Sequence, residues 1–329
     1  MSVFSNTKAH LLPKRYKLMT QSIGIVAATF APLTQTDLQK INQLVGMVDT
    51  LHLLVLPNSA HNAPSVQDVA RWLQVSYAGF DFIKIHTTSS LNLPSDATAK
   101  QMIDGVQAGL TQAAQVFDLP NSQPTQFADL ALACRYFYAQ KIAIVGGESS
   151  GKTTLIGKLA NHFGTAITPE MGRLYTHSHL GGTEIGLQYS DYPVIANNHA
   201  DAIFRACHHS PSPVVLIDTD FVTTQAFCQT YEKQTHPMLD AFIAQFHPQS
   251  TDPHRIMQTI YLDNNVAWVA DGMRRLGHER SAFAQRLLDL YAQHQIPLHQ
   301  INHHDYHERY LQAVKIIENI IAKPLWATN

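Results

Sequence analysis

Short apolar runs alternate with amphipathic segments along the first half of the chain. Residues 23–29 and 50–56 are apolar and β-branched, which predicts two buried strands. Between them, residues 33–48 place apolar side chains three and four positions apart, the spacing of an amphipathic helix. A strand, a helix and a strand within about 35 residues form a βαβ unit, and such units build parallel sheets. The same criteria predict a helix, a strand and a helix at residues 65–77, 80–86 and 102–117.

A second α/β series begins near residue 141. Its predicted strands and helices are residues 141–145, 152–163, 214–217, 255–262, 281–295, 297–301 and 308–322. Between the two series, residues 118–125 (DLPNSQPT) are rich in Pro, Asn and Ser, which is typical of a boundary. We therefore predict an α/β protein with two parallel-sheet domains, at residues 20–135 and 136–329.

Charge and composition restrict the expected partners. Lys and Arg total 23 against 25 Asp and Glu, a formal net charge of −2. No cluster of basic residues resembles a nucleic-acid footprint. No run approaches the roughly 20 consecutive apolar residues of a membrane helix. We expect small phosphorylated ligands, with neither nucleic acid nor membrane as a partner.

The cysteine and histidine patterns add little chemistry. The three cysteines, Cys134, Cys207 and Cys228, show no paired spacing, which indicates reduced thiols in a cytoplasmic protein. Residues 1–21 are polar and basic and lack the apolar core of a signal peptide. The densest groups among the 19 histidines, His208-His209, His303-His304 and His307, have no matching Cys or carboxylate spacing, so we expect them on the surface rather than in a metal site.

A glycine-rich segment lies between the predicted strand 141–145 and the predicted helix 152–163. Residues 146–153, GGESSGKT, fit the pattern G-x-x-x-x-G-K-[ST] at every required position. Glycines allow a tight loop whose backbone N–H groups point at one phosphate group, and the helix directs its positive end at the same anion. Lys152 is expected to reach the β- and γ-phosphates of ATP, and the Thr153 hydroxyl to bind Mg²⁺. The predicted loop contacts to ATP are Gly146, Gly147, Glu148, Ser149, Ser150, Gly151, Lys152, Thr153 and Thr154.

A phosphate loop also needs a carboxylate that organises Mg²⁺ and its water. The apolar strand 214–217 ends in Asp218, and Asp220 follows two residues later. Asp218 is therefore the candidate metal carboxylate. The alternative is that Asp218 only caps the next helix, since apolar strands that end in Asp are common in α/β proteins.

Four spaced segments resemble a known kinase family. They are GGESSGKTTL, SHLGGTEIGLQYSDY, IDTDFVTTQAFC and NNVAWVADGMRRLG, and DYHERYLQAV near the end of the chain fits as well. All are similar to the ribosylnicotinamide kinase domain of bifunctional NAD-salvage proteins of the NadR type. The resemblance implies a phosphate-loop kinase domain that moves the γ-phosphate of ATP to the 5′-hydroxyl of nicotinamide riboside (NR), which yields nicotinamide mononucleotide.

Phosphoryl transfer suggests roles for three further positions and a second role for Asp218. Glu170, in TPEMGRLY, and Asp218 are candidates to orient or deprotonate the sugar hydroxyl. Arg274 and Arg275 lie between glycines and resemble a lid that lays guanidinium groups on the transferring phosphate. An isolated pair of arginines is more often solvated surface, but the flanking glycines and the family resemblance favour the lid. Lys152, Asp218, Glu170 and Arg274 are the predicted catalytic residues.

The substrate-binding residues are expected to be Glu170, Tyr189, Asp191 and Trp268. A planar nicotinamide cation stacks well on indole, although Trp268 is equally consistent with a core aromatic. Asp191 and Tyr189 are candidates for the ribose hydroxyls, with packing as the alternative for Tyr189. For Tyr306, near the expected adenine edge, we favour packing.

The same family carries an adenylyltransferase domain of Rossmann-like, nucleotidyltransferase fold before the kinase, with the pattern F-x-P-x-H-x-G-H after its first strand. Here Phe30 and Pro32 remain, but Thr34 and Asp37 replace both histidines and Thr36 replaces the glycine. Those histidines stabilise the charge that grows on the α-phosphate, and Asp37 would instead place a like charge beside the triphosphate. We therefore expect a degenerate domain that keeps the fold without the activity. About 20 residues precede the first strand, so we expect no helix-turn-helix and no repressor role.

Two other functions stay open at this point. The chain is also consistent with a phosphate-loop kinase of another nucleoside, or with a regulatory protein that binds NAD metabolites and turns over little. Lys152, Thr153 and Asp218 argue against the regulatory function because a pure sensor does not need the transfer machinery. A homo-oligomer is neither predicted nor excluded.

Overall fold

The computed structural model of the chain describes residues 21–60, 63–182, 186–266 and 280–327. These residues form two parallel sheets, one of four strands and one of five, with helices packed on them. The predicted α/β fold with two parallel sheets is confirmed. Within the described ranges, no helix has both the length and the apolar surface that a bilayer span requires.

The first sheet has the spatial order β3-β2-β1-β4. Its strands are β1 (Ile23–Ala28), β2 (Thr50–Val55), β3 (Ile83–His86) and β4 (Gln115–Phe117). The helices around it are α1 (Gln35–Val45), α2 (Val66–Ser76) and α3 (Ala99–Ala108). Each of the three helices begins with a capping box, in which the side chains of the N-cap and third helical residues bond each other's backbone N–H; the N-caps are Thr34, Ser65 and Thr98. The sheet is buried on both faces, as is usual for parallel sheets.

The predicted helix at 102–117 is wrong in its second half. Helix α3 ends at Ala108 and is followed by Gly109. Residues Gln115–Phe117 instead form the edge strand β4, which pairs with β1 in parallel. Glycine after the last apolar position is a helix stop signal, and the apolar residues beyond it belong to the strand.

The second sheet has the spatial order β6-β7-β5-β8-β9. Its strands are β5 (Gln140–Gly146), β6 (Ile167–Thr168), β7 (Val214–Asp218), β8 (Gln258–Leu262) and β9 (His299–Ile301). The surrounding helices are α5 (Lys152–Phe163), α6 (Met171–His179), α7 (Asp191–His209), α8 (Phe221–Glu232), α9 (Pro237–Gln245), α10 (Arg280–Gln293) and α11 (Tyr306–Ile321). The central strand β5 is buried along its whole length, so the loop that follows it starts from a rigid base.

A short helix, α4 (Leu132–Tyr138), lies between the two sheets. The Trp72 indole N–H on α2 donates to the Tyr136 hydroxyl on α4 at 3.0 Å. On its other side, the Tyr136 ring stacks on His208 of α7, with ring centroids 4.2 Å apart. Helix α4 therefore contacts both halves through Tyr136, and the boundary proposed between residues 135 and 136 falls inside it.

Candidate functional site

The loop after β5 takes a backbone path that two of its glycines permit. Gly146 has a φ of +149°, and a Cβ there would lie 2.4 Å from the Leu262 carbonyl oxygen. Gly151 has a φ of +87°, and a Cβ there would lie 2.6 Å from the ring of Tyr306. Helix α5 starts at the next residue, Lys152, so its N-terminus faces the concave side of the loop.

Lys152 is buried and folds back over this loop. Its ammonium donates to the carbonyl oxygens of Gly146 at 3.0 Å and Gly147 at 2.9 Å. Both of these acceptors are neutral carbonyl oxygens, so these two bonds bring the ammonium charge to the loop without neutralising it. This is the charge that a phosphate group would meet.

Thr153 and Asp218 lie together at the edge of the second sheet. Strand β7 pairs with β5 so that Asp218 lies beside Ile144, just before the loop. The Thr153 hydroxyl lies 3.4 Å from Asp218 Oδ2. Asp218 Oδ1 is buried and accepts no hydrogen bond from the described residues. Burial raises the pKa of Asp218, and Lys152 and the Thr153 hydroxyl partly offset this rise.

This oxygen pair fits a hard divalent cation. Mg²⁺ is usually held by one or two protein oxygens together with phosphate oxygens and water. The hydroxyl of Thr153 and the carboxylate of Asp218 are such a set. A cation between them would satisfy Asp218 Oδ1 and favour the charged form of the acid.

The capping alternative belongs to Asp220 rather than Asp218. Asp220 Oδ1 accepts from the backbone N–H of Thr223 at 2.9 Å and from its hydroxyl at 2.8 Å, which caps helix α8. Asp220 Oδ2 accepts from the Tyr291 hydroxyl at 2.8 Å. The two neighbouring acids therefore have separate surroundings, one at the phosphate loop and one at a helix end.

A cleft of about 430 Å³, open to solvent, lies between helices α6, α7 and α8. Glu170 is among its lining residues, which also include Tyr192, Thr219, Thr224 and Phe227. Because Thr219 follows Asp218, the cleft opens beside the phosphate loop. Its wall is largely apolar and aromatic with a few polar groups, the usual lining of a small-molecule site.

Glu170 is the acid of this cleft. It is buried, and its Oε2 lies 3.2 Å from the Arg173 Nε on the next turn of the chain. The guanidinium fixes the carboxylate orientation and keeps the cleft from holding an isolated buried charge.

Tyr189 and Asp191 lie outside the lining of this cleft as the described residues form it. Asp191 accepts from the Tyr175 hydroxyl at 2.8 Å and from the Gln188 backbone N–H at 2.9 Å. The Tyr189 hydroxyl donates to the Thr235 carbonyl at 3.0 Å. Their side chains therefore hold the start of α7 and its neighbours in place.

Three predicted positions, Trp268, Arg274 and Arg275, lie outside the described residues. Two arginines that the sequence did not single out contact the loop instead. Arg280, at the start of α10, and Arg309, on α11, both donate to loop carbonyl groups. Arg309 lies within DYHERYLQAV, and this was the available signal for it.

In the first half, Asp37 does not lie where the sequence interpretation placed it. Its buried carboxylate accepts from the Thr34 hydroxyl at 2.7 Å, the Thr34 N–H at 3.0 Å and the Ser122 N–H at 3.0 Å. The Asp37 carboxylate, which we expected beside a triphosphate, thus points into the N-terminus of α1. Thr34 and Asp37 form a helix cap.

Comparison with known proteins agrees with this architecture. The AAA domain family model matches residues 141–309. The "Trifunctional NAD biosynthesis/regulator protein NadR" of Escherichia coli (strain K12) is 32% identical over 354 aligned positions, which cover 92% of this chain and 84% of that protein. A solved NadR protein in complex with NR superposes with a TM-score of 0.72 at 17% identity, covering 92% of this chain and 96% of that one. A NadR protein in complex with NAD and AMP-PNP superposes with a TM-score of 0.71 at 16% identity, covering 92% and 97%.

Proposed function

The chain belongs to the NadR family, and on this premise we propose that its second half transfers the γ-phosphate of ATP to the 5′-hydroxyl of NR. The observation that carries the proposal is the pairing of Thr153 with Asp218 at the edge of a cleft lined by Glu170. Under this proposal, Thr153 and Asp218 would hold the metal, the phosphate loop would bind ATP, and the neighbouring cleft would take the acceptor. The complex of a NadR protein with NR supports the choice of acceptor.

Lys152, Thr153 and Asp218 would hold the nucleotide and its metal. Mg²⁺ held there would supply positive charge to the phosphates of ATP. The N–H groups of the loop and the Lys152 ammonium would bind phosphate oxygens as well. In the transfer, the bond between the γ-phosphorus and the β–γ bridging oxygen breaks, ADP leaves, and a bond forms between phosphorus and the 5′-oxygen of the acceptor.

Glu170 is proposed to orient the acceptor hydroxyl and receive its proton. Of the two candidate carboxylates, Asp218 faces Thr153 and fits the metal, whereas Glu170 lines the cleft. This division leaves one acid for each task and avoids placing two metal-bound acids at the acceptor. Trp268, Arg274 and Arg275 remain candidates for contacts with the nicotinamide ring and the transferring phosphate.

For the first half we propose a domain that has lost adenylyl transfer. Transfer onto an α-phosphate needs donors that stabilise the growing negative charge. At the positions that correspond to the family's two histidines, Thr34 and Asp37 bond each other and cap α1. Neither side chain is then free to donate to a phosphate.

A nucleoside panel tests the proposed specificity. The full chain is incubated with ATP, Mg²⁺ and one of NR, adenosine, cytidine, uridine or thymidine, and ADP release is measured. We expect kcat/KM for NR to exceed that for every other nucleoside by at least about 100-fold, which is roughly 2.7 kcal/mol of discrimination. A higher value for another nucleoside would reassign the acceptor, and no release with any of them would favour a metabolite-binding protein.

A further inference from the structure

Cationic side chains hold five consecutive carbonyl groups of the phosphate loop. The pairs are Lys152 with Gly146 and Gly147, Arg280 with Glu148 and Ser149, and Arg309 with Ser150. The two arginines come from α10 and α11, 131 to 159 residues away in sequence. Distant helices therefore fix the backbone of a loop that is itself short and rich in glycine.

Fixing a carbonyl group also fixes the N–H group of the next residue. A trans peptide unit is planar, so its C=O and N–H point in opposite directions. Arg280 donates from Nε to Glu148 O at 3.1 Å and from Nη2 to Ser149 O at 3.3 Å. It thereby orients the N–H groups of Ser149 and Ser150. Such consecutive N–H groups form an anion-binding concavity.

Arg309 acts in the same way on the last peptide of the loop. Its Nη1 donates to the Ser150 carbonyl at 2.7 Å, which turns the Gly151 N–H away from the guanidinium. The side chain is 1% exposed, and its other acceptors are the carbonyls of Asp263 and His303 and the Asn265 amide oxygen. These acceptors follow the ends of β8 and β9, so the guanidinium ties the loop to the edge of the sheet.

The acceptors of both guanidinium groups within the described part of the chain are neutral oxygens. Arg280 adds a third contact, to the Val266 carbonyl at 2.9 Å. Burial lowers the pKa of each guanidinium, and the nearby Asp263 acts on both in the opposite direction. A polyphosphate on the concave side of the loop would add negative charge close to both cations.

We infer that Arg280 and Arg309 are positioning residues of the nucleotide site, which hold the loop N–H groups in the orientation that binds the phosphates of ATP or ADP. The inference deepens the proposed function and rests on nucleotide binding at this loop, but it does not depend on which acceptor is phosphorylated. Arginine is suited to the task because its planar fork reaches two carbonyl groups at once, whereas lysine provides a point charge.

The test is ADP binding to the full chain without any acceptor. Variants Arg280→Met, Arg280→Lys and Arg309→Lys are compared with wild type by displacement of a fluorescent ADP analogue in the presence of Mg²⁺. Adenosine, which lacks phosphates, is the reference competitor. Arg135→Met is the matched control, because Arg135 also donates to two backbone carbonyls, of Leu130 and Ala128, but in the first half of the chain.

We expect Arg280→Met to weaken ADP binding about tenfold or more, since it loses both charge-assisted hydrogen bonds to the loop and the order that they impose on it. Arg280→Lys should recover only part of this loss, and adenosine binding should stay within about twofold of wild type. Arg135→Met should bind ADP as wild type does. Arg280 is only half-buried, so we expect its variants to fold. They test the inference even if Arg309→Lys does not fold.

Two results would overturn the inference: ADP binding by Arg280→Met within about twofold of wild type, or equal losses for ADP and adenosine. The second would show a structural role without phosphate specificity. Failure of NR phosphorylation would leave the ADP measurement intact, so the inference and the proposed function are tested separately.

Discussion

Thr153 and Asp218 approach each other across the second sheet, with the threonine hydroxyl 3.4 Å from the aspartate oxygen. One residue opens the helix after the phosphate loop and the other ends the neighbouring strand, so their meeting depends on the parallel pairing of β5 and β7. Two residues later, Asp220 is directed away from the loop to cap α8. The acid proposed to bind the metal and the acid that caps α8 are therefore only two residues apart.

Lys152→Ala should reduce the rate of phosphoryl transfer by on the order of 10³-fold, because the ammonium acts on the charge of the transferring group. The fold should persist, since the contacts of Lys152 with Gly146 and Gly147 are confined to the loop. The measurement is kcat for ADP release, with circular dichroism to check folding. Lys315→Ala, exposed on α11, is the control and should keep wild-type turnover. Near-normal turnover of a folded Lys152→Ala protein would remove the loop from the mechanism.

Asp218→Asn should lower the activity and raise the stability of the protein. Burial raises the pKa of Asp218, so its charged form costs the folded state free energy above that pKa. Without nucleotide, we expect the variant to melt a few degrees higher than wild type at pH 7. This gain in melting temperature should shrink as the pH falls toward the pKa of Asp218 in the unfolded state, near 3.8. Turnover should fall by about 100-fold or more, and Mg²⁺ should no longer strengthen ADP binding.

Asp220→Asn tests which of the two acids, Asp218 or Asp220, is responsible for the Mg²⁺ effect. The Asn amide oxygen can still accept from the Thr223 N–H and cap α8, and burial raises the pKa of Asp220, so we expect the unfolding free energy at pH 7 to change by less than about 1 kcal/mol. Its dependence on Mg²⁺ should match that of wild type. If Asp220→Asn rather than Asp218→Asn abolished the Mg²⁺ effect, the assignment of the metal acid would be reversed.

His199 should make the protein sensitive to acid. It lies on α7 against Phe221, and burial lowers its pKa to about 4. Since the folded pKa is below the unfolded value near 6.5, its contribution to stability is complete above pH 6.5 and is lost as the pH falls toward 4. Between pH 7 and pH 4, the free energy of unfolding of His199→Leu should therefore fall by about 2–3 kcal/mol less than that of wild type, as measured by urea unfolding. His209→Leu, exposed on the same helix, should follow wild type, and parallel curves for all three proteins would contradict the prediction.

The sequence predicts the strongest local patterns and misses what depends on distant contacts. The strand before the phosphate loop and the helix after it are confirmed. Their prediction succeeded because the hydrophobic period, the glycines and the start of the helix all indicate the same structure within 24 residues. Helix α7 was missed, since His199 occupies one of its core positions and interrupts the apolar stripe. Arg280 was missed because an isolated arginine carries no local signal. Arg309 was missed although it lies within DYHERYLQAV, because that segment does not show that the partner, Ser150, lies 159 residues away.

The first half should not convert nicotinamide mononucleotide to NAD. Thr34 and Asp37 stand at the family's histidine positions and bond each other, and each lost donor costs roughly 10² to 10³ in rate. Mass spectrometry of the full chain with nicotinamide mononucleotide, ATP and Mg²⁺ measures the product. NAD formed as fast as the kinase step would show that other residues perform the transfer.

The most direct test of the account is the product that the full chain forms from NR, ATP and Mg²⁺. Phosphorus NMR of the reaction mixture identifies both the new phosphate ester and its position from its coupling to the sugar protons. We predict equal amounts of ADP and nicotinamide mononucleotide, with phosphorus coupled to the two 5′ protons, and no ester in the Lys152→Ala protein. ATP hydrolysis to free phosphate without an ester, or an ester at another hydroxyl, would contradict the proposed function.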